Sequence, residues 1–144
     1  MKRIAARRGF TLVEMLVVIA IIAVLVSVLI PTATAAMDKA KAATDAANLR
    51  SVLGQADILL LSNSDDDVLE QLKDNVPESK LHPGAKVYVV NNFPSFVDVY
   101  YVDGDNYYGL DYLSDLAANG SSTLSTAQPT GAGYDNWVNL SDAG

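Results

Sequence analysis

Apolar residues run almost unbroken from Phe10 to Ile30, interrupted only by Thr11, Glu14 and Ser27. A run of this length, at 1.5 Å rise per residue, reaches about 32 Å as a helix, close to the hydrocarbon thickness of a bilayer. It predicts a helix that is apolar all round. From Thr32 to about Leu61 the pattern changes to an alanine-rich one, with Ala42, Ala46, Leu49, Leu53, Ala56 and Leu60 three and four residues apart. That spacing places them on one face of a second helical stretch, which must have something packed on it. Pro31 lies at the join; it removes a backbone donor and is expected to kink or loosen the helix there. The two stretches read as one helix of about 50 residues, about 75 Å long.

Beyond it Ser62-Asn63-Ser64 breaks the pattern, and Ser64 with Asp67 predicts a capping box opening a short helix. Val68, Leu69 and Leu72 give that helix an apolar side. Asp65, Asp66 and Asp67 fall in its first turn, where the helix dipole favours anions and no metal is needed to explain them. After the Pro77–Pro83 loop, Ala85–Val90, Phe96–Val102 and Tyr107–Tyr112 are Val- and Tyr-rich segments that predict strands. In the second, Val97, Val99 and Tyr101 share a face, with Asp98 opposite. Asp103-Gly104-Asp105-Asn106 reads as a hairpin turn. Ala117–Gly133 is a small, Ser/Thr/Gly-rich loop, and Tyr134–Leu140 returns as a last strand. The expected fold is α+β, a long N-terminal helix whose amphipathic half packs against a small antiparallel sheet.

Charge sharpens this division. Of ten basic residues, Lys2, Arg3, Arg7 and Arg8 precede the apolar run, and the rest of the chain sets the other six against 17 acidic ones. So acidic a body repels nucleic acid and anionic lipid. The basic cluster places the N-terminus in the cytoplasm and the acidic remainder outside, as a single-pass anchor. There is no cysteine, hence neither a disulfide framework nor a thiolate metal site. A secretory signal peptide is one alternative, with Ala33-Thr34-Ala35 as a cleavage-like site, but its apolar region is shorter and carries no glutamate. A plain uncleaved anchor is another; it leaves Thr11 and Glu14 unexplained. A carboxylate in a bilayer costs about 2.5–3.5 kcal/mol on insertion scales, and intramembrane ionisable groups are usually functional.

The stretch Gly9-Phe10-Thr11-Leu12-Val13-Glu14, with a short basic leader before it and a long apolar helix after it, resembles the type IV prepilins. The resemblance covers about the first thirty residues and Pro31. It implies a leader of residues 1–9, removed by a prepilin peptidase that cuts after Gly9 on the cytoplasmic side, and N-methylation of Phe10. It implies further that residues 10–30 form the transmembrane and then filament-core helix, that residues 31–61 form its amphipathic half, and that residues 62–144 form the globular head. The implied function is that of a structural subunit, not an enzyme and without a cofactor, that self-associates into an extracellular type IV pilus. Its partners would be the peptidase, an inner-membrane platform protein and an assembly ATPase. Glu14 would be the assembly residue, pairing its carboxylate with the new amine of Phe10, its own or a neighbour's. Two alternatives stay open, a pseudopilin of a type II secretion or competence system and a minor adhesive pilin. Motility, adhesion and DNA uptake are not separated by these residues. Unlike many members of the family, this chain has no glycine between Phe10 and Pro31.

Outside the N-terminal segment, candidate chemistry is sparse. His82, the one histidine, precedes Pro83-Gly84 and reads as a solvated loop residue, with no catalytic motif around it. Asp103, Asp105 and Asn106 are a weak calcium candidate, since they miss the EF-hand spacing and its distal glutamate; a plain turn explains them better. The tyrosines at 100, 101, 107, 108 and 112 suit half-buried core and cross-strand pairs more than an exposed stacking surface. Asn119-Gly120-Ser121 and Asn139-Leu140-Ser141 fit the N-glycosylation pattern, and Ser121–Thr126 offers hydroxyls for O-glycans or serves as plain linker.

Overall fold

A computed structural model of the chain describes residues 9–62, 72–73, 76–92, 96–132 and 134–141. The leader residues 1–8 and the short helix expected from Ser64 lie outside the described residues. Six elements follow in order: α1 (Leu12–Ser62), β1 (Lys86–Asn92), β2 (Phe96–Asp103), β3 (Asn106–Gly109), α2 (Leu110–Asn119) and β4 (Trp137–Asn139). The fold is α+β. The chain divides into two compact units, one up to Ala35 and one from Ala36.

In the first unit α1 runs through Pro31. Its large apolar residues from Phe10 to Ile30 are all 42–76% exposed, so this stretch buries nothing of itself. Hydroxyls embedded in it fold back onto the helix. Ser27 Oγ donates to the Val24 carbonyl at 2.7 Å, Thr32 Oγ1 to Leu29 at 2.8 Å and Thr34 Oγ1 to Pro31 at 3.0 Å. A polar side chain that satisfies itself in this way is tolerable in an apolar solvent.

In the second unit the remainder of α1 supplies one wall of the core. Ala42, Ala46, Leu49, Val52 and Ala56 are buried on it, and Leu53 is only partly so. Val52 thus takes the place the spacing gave to Leu53, while the side chain of Leu60 lies outside the described set. The sheet is antiparallel, in the order β3-β2-β1-β4. Its inner face brings Val87, Val89, Val99, Tyr101 and Tyr108 onto α1, with Leu113 of α2 and Leu140 closing the cluster. Period-two alternation explains the choice of residues: Asp98 and Tyr100 fall on the outer face between them.

Four sequence expectations are corrected, one of them the last strand, which spans only Trp137–Asn139 and not Tyr134–Leu140. The third strand ends at Gly109 instead of Tyr112, because Leu110, Leu113 and Leu116 follow a helical spacing that buries Leu113 completely. The small-residue loop accordingly begins after Asn119, where Gly120 ends α2 at φ 81° and donates its N–H to the Leu116 carbonyl at 2.8 Å. The first strand extends to Asn92, pairing with Phe96.

The segment after α2 ties the two sheet edges together. Thr126 accepts the Tyr107 N–H at 2.7 Å beside β3. The chain then reaches the opposite edge as β4, flanked by bonds from Asn91 N–H to Asn136 and from Leu140 N–H to Val87. Under it the outer sheet face gathers Trp137 with Tyr88, Tyr100, Tyr107 and Tyr134, at ring-centroid distances of 5.3–6.5 Å. The tyrosines therefore serve both faces, with Tyr101 and Tyr108 buried in the core and Tyr100, Tyr107 and Tyr112 half-buried.

Candidate functional site

The start of α1 is organised by two side chains. Thr11 precedes the first helical residue, and its Oγ1 accepts the Glu14 N–H at 3.2 Å. Glu14 answers through Oε2, which accepts both the Thr11 N–H and the Thr11 hydroxyl at 2.8 Å. This reciprocal arrangement is a capping box, Thr-x-x-Glu, and it satisfies donors that a helix otherwise leaves open at its first turn. The sequence carries the signal, a threonine three residues ahead of a glutamate. Oε1 of Glu14 has no partner among the described residues. Gly9 has open space around its α-carbon, and Phe10 is 69% exposed. Among the described residues nothing stands within 4 Å of a Cβ built on Gly9, just ahead of this self-capped helix.

A second constellation was not anticipated. Asp45, on the buried face of α1, has no exposed surface. Its carboxylate accepts the Ser79 hydroxyl at 2.6 Å and the N–H groups of Lys80 and Leu81 at 2.7 and 3.0 Å. Ser79 Oγ accepts the His82 N–H at 2.9 Å, so one buried carboxylate orders the turn before β1. His82 is not the solvated residue expected. Its ring stacks on Tyr108 at 3.8 Å and 7°, and Nε2 is buried without a hydrogen-bond partner. Burial pulls the imidazole below its usual range, against the opposing attraction of Asp45 and Asp103. These groups shape the head and carry no reacting geometry.

The Asp103–Asn106 segment is the turn between β2 and β3. Asp103 pairs with Asn106, and Gly104, at φ 57°, supplies the sign that the first central position of a II′ hairpin requires. Asn106 Oδ1 accepts from Thr126 Oγ1 at 3.4 Å. No group of three or more His, Cys, Asp or Glu side chains is placed to hold a metal among the described residues. Of the two glycosylation patterns, Asn139 sits within β4 and donates to Tyr88 Oη at 3.2 Å, and Asn119 ends α2 with its amide on Asp115.

Among known proteins, a family model described as the prokaryotic N-terminal methylation motif matches residues 4–30. No curated protein and no solved structure matches the chain. The match falls on the segment that holds Gly9, Phe10 and Glu14 and points to a structural protein family instead of an enzyme. α1 behind it is long and apolar enough to cross a membrane. The methylation motif and the long N-terminal apolar helix that it overlaps together fit a type IV prepilin-like protein.

Proposed function

We propose that the chain is a structural subunit of a type IV pilus, held in the inner membrane before assembly and extracellular after it. The single observation that carries this reading is the methylation motif over residues 4–30, which runs into a helix whose apolar residues up to Ile30 are exposed on every side. Such a helix needs lipid or copies of itself around it, and its surface is shielded from water equally well by either. Moving from bilayer to bundle is then close to balanced, which lets an assembly ATPase acting through a platform protein drive the transfer in both directions.

In this reading a prepilin peptidase cuts after Gly9 and discards residues 1–9, and Phe10 becomes the methylated N-terminus. Residues 10–30 form the filament core, residues 31–61 carry the head, and residues 62–144 complete it. Glu14 takes the amine of a neighbouring subunit's Phe10 on Oε1 while Oε2 stays with Thr11. An opposite charge at about 4 Å contributes about 4 kcal/mol at an effective dielectric near 20, enough to offset the burial of Glu14 in a dry bundle. The pair also fixes axial register, and head-to-tail contacts of this kind grow without closing.

Intact mass and N-terminal sequencing of membrane-extracted protein test the processing step. The expected product starts at Phe10 with one added methyl group. A start at Ala36 means secretion of a soluble protein, and an intact Met1 means a plain anchor; either result overturns the proposal. Abundance on fibres sheared from cells tests the assembly step. Correct processing without abundance on sheared fibres leaves the pseudopilin and the minor adhesive pilin.

A further inference from the structure

The outer sheet face holds a cleft of about 320 Å³ that the assembly reading does not use. Its floor comes from β2 and β3, one wall from the first turn of α2, and the other from the segment around Ser125. A Cβ on Gly109 would stand 2.7 Å from Cε1 of Tyr100, so the Tyr100 ring lies over the space that glycine leaves. Tyr107 lines the cleft beside it. The Tyr100 hydroxyl is fixed at 2.5 Å on Asp98 Oδ2, and burial together with that carboxylate raises its proton affinity far beyond the usual phenol range. The ring is therefore a platform anchored at its hydroxyl. The opposite wall is held as firmly, by the Tyr107–Thr126 backbone bond and by Ser125 Oγ, which accepts the Ala127 N–H at 3.0 Å.

The polar groups around this platform are of both kinds. Asp98 and Asp111 offer carboxylate oxygens, those of Asp98 through the lone pairs left after they accept the Val99 N–H at 2.9 Å and the Tyr100 hydroxyl, and neither has an ion-pair partner among the described residues. The first turn of α2 offers the opposite, because its N-cap is Gly109, which has no side chain to satisfy the open N–H groups there. No basic residue lines the cleft. An anion would meet two carboxylates with no counter-charge. A cation would be drawn to the carboxylates but opposed by the positive end of the helix dipole, and no third acidic, histidine or cysteine ligand completes a metal shell among the described residues. A neutral polyol matches the whole set, because each hydroxyl both donates and accepts, and the C–H face of a sugar ring lies flat on an aromatic one.

We propose that this cleft binds a neutral saccharide, one pyranose unit resting on the tyrosine rings with its hydroxyls on Asp98, Asp111 and the first turn of α2. The site is preformed and shallow, of the size of a small-ligand pocket. The proposal is independent of how the N-terminus is processed or assembled.

The only tryptophan, Trp137, packs at 5.5 Å from Tyr100 and 5.3 Å from Tyr107, and so reports on the cleft. The test is a fluorescence titration of the full chain in a polyoxyethylene detergent, chosen because glycoside detergents would compete. Probes are methyl glucoside, methyl galactoside and N-acetylglucosamine, with tetramethylammonium chloride and sodium acetate as charged controls. The expected result is a saturable millimolar response to at least one sugar and none to the salts. Asp111→Ala, at an exposed position, should weaken that response about tenfold, the loss of one charge-assisted hydrogen bond, with circular dichroism unchanged. Gly109→Ala displaces the Tyr100 ring and should abolish it. The proposal is overturned if no sugar responds, if tetramethylammonium or acetate gives the response, or if Asp111→Ala binds like the parent.

Discussion

Asp45 and His82 meet at the same turn from opposite sides, and each makes a measurable claim. Removing the Asp45 carboxylate strands the Ser79 hydroxyl and two backbone N–H groups in a buried place. Asp45→Ala should therefore cost about 3 kcal/mol in urea unfolding, and Asp45→Asn, which keeps an acceptor, clearly less. For His82 the folded form binds its proton less readily than the unfolded chain does. Between the depressed folded pKa and the ordinary unfolded value of about 6.5 the unfolded state holds more protons, so stability falls as pH drops through that window and is complete above it. The melting temperature should fall from pH 7.5 towards pH 5.5, and His82→Phe, which keeps the stack on Tyr108, should flatten the slope. An unchanged slope in that variant assigns the effect to carboxylates. His82 was misread from sequence and Asp45 was not singled out in it, each for its own reason. Asp45 stands three residues after Ala42 on the buried stripe, yet a charged residue in an alanine-rich helix is normally placed outward. His82 was judged by its loop alone, and its stacking partner is 26 positions away on β3.

At the level of elements, the long helix and the two central strands were legible because their periodicities are undiluted over many residues. α2 was not. Its first residues, Leu110-Asp111-Tyr112, continue the aromatic run of β3, and β-propensity there outweighed a helical spacing that only becomes visible with Leu113 and Leu116. The stop signal is Gly120, whose positive φ places a substitution in strain. Gly120→Ala should lower stability by about 1 kcal/mol. Its added Cβ would come within 2.5 Å of Lys39 Cε, the end of a flexible side chain, so the backbone term should dominate. Lys39→Ala, which loses a bond to the Ala118 carbonyl at 3.3 Å on the surface, should stay within a few tenths of a kcal/mol. Thermal melts of the two variants side by side separate helix termination from surface bonding.

For the whole molecule, the two units predict separable behaviour. Residues 36–144 contain their own core and should give a soluble domain with a cooperative urea transition when expressed alone. In the intact chain Glu14→Gln keeps the size of the side chain and an acceptor for Thr11. It should insert and be cut normally, yet yield few or no fibres; wild-type fibre numbers would remove the proposed pairing, and failure at cleavage alone would assign Glu14 to peptidase recognition. The clasp at Asp45 has a further effect, visible in the susceptibility of the folded chain to attack. Residues 79–82 belong to no helix or strand, and the Lys80 side chain is exposed, so a protease cutting after lysine would find an inviting site there. Cleavage, however, requires the backbone to peel away and extend, and the amides of Lys80 and Leu81 are pinned to a carboxylate with no access to water. Those two amides should exchange with deuterium as slowly as strand amides, and trypsin should spare Lys80 until the whole head unfolds.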